Sequence, residues 1–331
     1  MANFSNFNFS AVTRLSASYC LSFLLLACND QPVNEVLYQT HTDNGAYAAD
    51  LSVYGQFAAV SSNQGVRFWD IKTGLPKYLW QHEPNQTNQV GIVKISFDNQ
   101  LVLTADKQSF ALWNINTGAN KGYYKIDDAN IVTAAVSKQG HFVALGLLNG
   151  KILHIDMQTG RRIEYLSHQD RISALEMSAN GRYILSGDYA GKAILWDTQT
   201  AQSRFEFNHN GRISQLSLDN QARFAFTANS TNESWIWDLT TGKRYSQLNY
   251  IARQQIFTAV KFSNNGKLLA TGAPNQKIKI WSVESGELIA EWPFDADHFA
   301  ATVLDFAFSE NDKLLSAETS FGALQTWELS F

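Results

Sequence analysis

Side chains able to do covalent or metal chemistry are few in this sequence, and they are scattered. Cysteine occurs twice, at Cys20 and Cys28, and histidine seven times, at His41, His82, His141, His154, His168, His209 and His298. No two histidines stand at H-x-x-x-H spacing, and no C-x-x-C pair or acidic calcium loop occurs. A G-x-S-x-G elbow and a phosphate-binding glycine loop are also missing. Local sequence thus offers no catalytic set, no metal site and no cofactor site. An active site would have to be assembled from distant loops, as catalytic triads can be. Cys28 is the one residue whose surroundings imply a reaction.

Those surroundings have three parts. Residues 1–14, MANFSNFNFSAVTR, carry no acid and only Arg14 as a charged side chain. Residues 15–27, LSASYCLSFLLLA, are apolar or small, and shorter than the roughly 20 residues that cross a bilayer. This is the layout of a secretory signal. Its end, Leu25-Leu26-Ala27-Cys28, resembles the lipobox of bacterial lipoproteins. The resemblance implies cleavage before Cys28, a diacylglyceryl group on its sulfur and acylation of its new amine. Two or three acyl chains hold durably where one does not. Cys20 would leave with the signal and Cys28 would become a thioether, so no free thiol or disulfide would remain, which suits an oxidising envelope. The expected organisation is a signal over 1–27, a lipidated Cys28 with a short tether over 28–34, and a folded domain over 35–331. In enterobacterial lipoproteins Asp directly after the cysteine favours the inner membrane. Here that position is Asn29, with Asp30 one later, so the resemblance leans toward the outer membrane.

Beyond residue 27 the chain has 25 Lys+Arg against 30 Asp+Glu, a net of −5 with no basic run. Such a mildly acidic surface disfavours nucleic acid as a partner. About 300 residues is large for one core unless the core is built from repeats.

The repeats are present. VRFWDIKTG, FALWNINTG, ILHIDMQTG, AILWDTQTA, SWIWDLTTG, IKIWSVESG and LQTWELSF recur with anchors at Trp69, Trp113, Ile155, Trp196, Trp237, Trp281 and Trp327. The intervals are 44, 42, 41, 41, 44 and 46 residues, the length of a four-stranded propeller blade. The WD ending is similar to that of WD40 repeats. Inner runs such as VKISFD alternate apolar and polar residues, as strands buried on one face do. The resemblance implies an all-β, seven-bladed β-propeller of four-stranded antiparallel blades, monomeric as a ring. Only ELSF follows Trp327, so the last blade is expected to take its outer strand from EVLYQT, residues 35–40, near the N-terminus.

WD40 blades commonly link a His before the inner strand, a Ser or Thr on the second strand, the Trp on the third, and an Asp in a tight turn. Carried over residue by residue, the histidines are His41, His82, His168, His209 and His298. The second-strand positions are Ser61, Thr104, Gly146, Ser186, Thr227, Thr271 and Ser316. The Asp looks largely missing, with Asp188 two residues early. Histidines spread in this way around a ring would not converge on a metal, and a structural role is expected for them. On the inner strands Asp50, Lys94, Glu176, Lys261 and Asp305 are expected to face the central channel.

Loops leading into the inner strands are the variable ones. Arg171, Arg212 and Arg253, at intervals of 41 and 41, are expected at equivalent positions on neighbouring blades as a partner-binding sector. Acids at Asp43, Glu83, Asp127, Asp128, Asp295 and Asp297 mark the remainder of that face. In WD40 proteins this face commonly binds peptides or proteins, and Arg is favoured at such contacts. The function expected is a non-catalytic platform, tethered through Cys28 to a bilayer of the bacterial cell envelope and holding a protein or peptide partner. The alternatives are a periplasmic enzyme or small-ligand sensor using the central channel, and a cytoplasmic scaffold should the signal be misread. Fold alone does not choose among them.

Overall fold

A computed structural model describes residues 33–83, 86–250, 256–297 and 299–331. Cys28, Arg253 and His298 lie outside the described residues. Seven four-stranded antiparallel sheets succeed one another along the chain as blades. Blade 4 is representative, with strands Ile172–Met177, Tyr183–Asp188, Lys192–Asp197 and Gln202–Asn208 from channel to rim. Helical structure among the described residues is one short 3₁₀ turn, Lys138–Gly140.

The repeated D-x-x-T-G phrase is a turn with a mechanism. Asp70 Oδ1 accepts the Thr73 N–H at 3.1 Å, and the Gly74 N–H returns to the Asp70 carbonyl at 2.9 Å. Gly74 sits at φ +67°, left-handed space that costs glycine nothing. Asn114 and Asp156 repeat the arrangement with Thr117 and Thr159. Blade 4 departs from it by forcing Ala201 to φ +57° at the glycine position.

The core lies between blades rather than within them. Seven apolar clusters each join one blade to the next, for example Leu185, Leu195 and Phe207 of blade 4 with Ile213, Leu216 and Trp237 of blade 5. Close approach here is set by small residues on the second strand. A Cβ on Gly187 would stand 2.5 Å from Ile213 Cγ2, and Gly146 and Gly272 are crowded in the same way by Ile172 and Val303.

The ring closes as the repeat count requires, with one added residue. Strand Asn34–Thr40 pairs antiparallel with Ala323–Glu328 and becomes the outer strand of blade 7. The seam between blades 7 and 1 differs from the others. Its cluster has nine buried members, four of them alanine (Ala46, Ala49, Ala58 and Ala307), and no phenylalanine. At the position where blades 3, 4 and 6 carry Gly146, Gly187 and Gly272, blade 7 carries Glu318, which is fully buried. Its Oε2 lies 2.8 Å from His41 Nδ1, with neither side chain exposed. His41 in turn stacks on Trp69 of blade 1 with ring centroids 4.6 Å apart. A buried His41–Glu318 hydrogen bond bridges the seam that has the least apolar bulk.

Blade 3 is the exception in its interior. Its third strand, Ile152–Asp156, buries His154 between Phe142 and Tyr165, with ring centroids 5.1 and 6.5 Å away. Neither ring nitrogen has a hydrogen-bond partner. Burial pushes its pKa below the ordinary histidine value. The folded state then resists protonation while the unfolded chain takes a proton near pH 6.5. The associated stability is present above that pH and is lost as pH falls toward the folded value. His154→Leu should therefore lose less stability than wild type between pH 7.5 and 5.5, by up to about 1.4 kcal/mol. Urea unfolding at the two pH values reads this, and parallel losses would mean that His154 titrates alike in both states.

Candidate functional site

Strand register decides which of the expected side chains meet. In blade 4 the Trp196 Nε1–H donates to Ser186 Oγ at 2.9 Å, Ser186 Oγ lies 2.7 Å from His168 Nε2, and His168 Nδ1 lies 2.9 Å from Asp188 Oδ2. Asp188, placed two residues early in the sequence, completes the network. Burial opposes its charge, but bonds from His168 and the Lys192 N–H hold its carboxyl below the usual value. Blade 2 repeats the chain through Trp113, Thr104, His82 and Asp106, at 2.8, 2.8 and 3.0 Å. In blade 5 Trp237 donates to Thr227 at 2.7 Å, and Thr227 lies 2.8 Å from His209 Nε2. There Glu233, 3.4 Å from His209 Nδ1, stands in for the acid. Blade 6 keeps the Trp281 to Thr271 bond at 2.9 Å.

Three of the expected second-strand positions are wrong. Trp69 pairs with Ala58, Ile155 with Val143 and Trp327 with Leu315, which puts Val60, Leu145 and Ala317 where Thr104 and Ser186 stand. Ser61, Gly146 and Ser316 are each one residue off, and one residue turns a strand side chain to the opposite face. Ser61 bonds the Val90 carbonyl at 2.7 Å, and Ser316 bonds Thr326 at 2.8 Å. Trp69 Nε1 is left without a partner. His41 belongs with Glu318 rather than with a blade 1 hydroxyl.

The five channel residues do line one cavity, of about 310 Å³. Its carboxylates are committed to strand edges. Asp305 accepts the Leu51 N–H at 2.8 Å, Asp50 the Ile95 N–H at 2.7 Å, and Glu176 the Leu218 N–H at 2.5 Å, each across a blade boundary. Lys94 adds an ion pair to Asp50 at 2.9 Å. Burial raises the pKa of Asp50 and Glu176. At Lys94 burial favours the neutral amine, and the surrounding acids outweigh it. These groups staple inner strands together.

On the loop face Arg171 and Arg212 each directly precede an inner strand, Ile172–Met177 and Ile213–Leu218. Both are exposed, and both lie over one ring, Tyr189, with Cζ 3.7 and 5.4 Å from its centroid. Arg253, expected in the same row, lies outside the described residues. Leu216 pairs with Thr227 and Val260 with Thr271, so the blade 6 equivalent of Arg212 is Ile256, 39% exposed. The loop into blade 6 is three residues longer than a 41-residue interval allows. Among the acids, Asp128 is neutralised by Arg162 at 2.7 Å. Glu83 and Asp127 line a cleft of about 720 Å³ between the loops entering blades 2 and 3. Tyr189, which joins the two arginines, carried no repeat signal that would have found it.

Comparison with known proteins agrees with this architecture. Residues 160–197 match the WD domain, G-beta repeat family, and residues 230–311 match the WD40 domain of anaphase-promoting complex subunit 4. A search of curated proteins found no match. Among solved structures, a chain of "Crystal Structure of Mitotic Checkpoint Complex" superposes with a TM-score of 0.76. The match covers 100% of this chain and 99% of that one at 18% identity, a likeness of fold. The chain is a seven-bladed β-propeller, and residues 160–197 and 230–311 of it are similar to WD40 repeats. Propellers of this class typically serve as platforms for protein interactions and are generally non-catalytic.

Proposed function

We propose that this propeller is a non-catalytic interaction platform of a bacterial cell envelope, lipid-anchored at Cys28 and facing the periplasm, with the outer membrane favoured. It works as a monomeric ring and holds an envelope protein or peptide on its loop face, with no cofactor and no nucleic acid. The observation that carries the reading is the contrast between its two charged regions. The channel carboxylates are tied to backbone N–H groups, whereas Arg171 and Arg212 on the loop face have no acidic partner within 4.0 Å among the described residues. Charge left open on a surface steers and selects a partner. The anchor rests on the lipobox-like Leu25-Leu26-Ala27-Cys28 and the apolar run before it.

Cross-linking in intact cells, followed by membrane fractionation and purification, tests both halves. Wild type should bring down one specific partner from the membrane fraction, and a folded Arg171→Glu/Arg212→Glu variant should lose it. Cys28→Ala should shift the protein out of that fraction. Retention of the partner by the double variant would remove the loop face from the reading. Unchanged processing and fractionation of Cys28→Ala would remove the anchor.

A further inference from the structure

We infer that Arg171, Arg212 and Tyr189 form a preorganised clamp for one carboxylate, supplied by a Glu or Asp in an extended segment of the partner protein. This rests on the platform reading and names what its face recognises.

The clamp is fixed by main chain on both sides. The Tyr189 N–H donates to the Arg171 carbonyl at 3.1 Å, and the His209 N–H donates to the Gly191 carbonyl at 2.9 Å. Gly191, at φ +92°, lets the blade 4 turn press on the loop entering blade 5. A Cβ there would stand 2.5 Å from the His209 carbonyl oxygen and 2.7 Å from that of Gly211. The two arginine-bearing segments and the tyrosine between them are thus one rigid unit. Little ordering remains to be done when a ligand arrives.

Its chemistry calls for an anion. Two guanidiniums lie against one tyrosine ring, and neither is in a salt bridge among the described residues. The acids of the same loops accept from backbone and amide N–H groups and form no salt bridge to either guanidinium. Asp170 Oδ1 accepts the Arg171 backbone N–H at 2.7 Å, and Glu233 Oε2 accepts from Asn210 N and Asn229 Nδ2, both at 2.9 Å. Neither guanidinium donates a side-chain hydrogen bond to the described residues, and the fork of N–H groups each carries matches a carboxylate with two parallel bonds. The site is open, which suits a side chain on a protein segment better than a small free anion. Exposed Ile256 at the equivalent position on blade 6 extends the surface for an apolar residue beside the acid.

Full-length protein in detergent is titrated with Gly/Ser dodecapeptides carrying a neutral dye, one Leu and one Glu, read by fluorescence anisotropy. A Gln twin and a phosphoserine twin are run in parallel. The Glu peptide should bind saturably, with the Gln twin at least tenfold weaker. Arg171→Lys/Arg212→Lys, which keeps charge but loses the fork, should weaken the Glu peptide at least fivefold with an unchanged melting temperature. Equal binding of Glu and Gln peptides, an unaffected lysine variant, or no saturable binding of the Glu peptide at about 1 mM overturns the clamp. Tighter binding of the phosphoserine twin by tenfold or more reassigns it to phosphate. The platform reading fails separately, by the absence of any specific cross-linked partner in cells.

Discussion

Deleting residues 34–40 should leave no soluble monomer. The strand supplies six register pairs to Ala323–Glu328, and without it that strand's outer edge is open along its whole length. An open edge is a template for pairing with another chain. The loss also reaches blade 1, because Gln39 Nε2 donates to the Ile71 carbonyl at 2.8 Å and Leu37 packs into the seam cluster. A domain whose net stability is about 5–15 kcal/mol does not survive removal of a strand that joins its first blade to its last. Size-exclusion chromatography and circular dichroism of the deletion decide the matter. A monomer that still unfolds cooperatively would show that blade 7 stands on three strands.

His41→Ala should be the most damaging single substitution outside the clusters, at about 1–3 kcal/mol, because it leaves the buried Glu318 carboxyl without its hydrogen-bond partner. Glu318 has no slack to absorb this, since its second oxygen, Oε1, already lacks a hydrogen-bond partner. The stacking of His41 on Trp69 goes as well. The double variant His41→Leu/Glu318→Ala should recover most of the loss, since a buried pair is often replaceable by apolar groups at little cost. Urea midpoints of the two singles and the double give the coupling directly. A cost for His41→Ala below about 1 kcal/mol would mean that Glu318 finds water or another partner, and that the seam is not held by this pair.

The fold was legible because its signals repeat. An anchor every 41 to 46 residues, tryptophan in all repeats but the third and followed by a turn phrase in all but the last, fixes blade number and strand order, and the four residues after Trp327 fix how the ring closes. What failed were statements needing register to one residue. Ser61, Gly146 and Ser316 were counted from the tryptophan across second-to-third-strand turns of unequal length, and a slip of one reverses a strand side chain. Arg253 lies outside the described residues, and strand register sets Ile256 at the blade 6 position equivalent to Arg212. Asp188 was discounted by position and proves to be the acid of its network. Glu318 was findable in principle, as a charge where equivalent positions hold Gly146, Gly187 and Gly272. Tyr189 was not, since its role depends on two loops meeting in space.

The closing strand also sets a clock. It is made first and its partner last, with roughly 290 residues between them, so at about 5–20 residues per second it waits on the order of 15 to 60 s before it can pair. For that interval it is a naked edge with no blade behind it. A segment kept waiting must stay soluble alone, and NEVLYQT is composed for it, with amides, an acid and a threonine around three apolar side chains. Two of those three, Val36 and Tyr38, remain 48% and 42% exposed even in the finished ring. Blade 7 is therefore completed by a strand selected as much for patience as for grip, and the buried His41–Glu318 pair beside it supplies the grip.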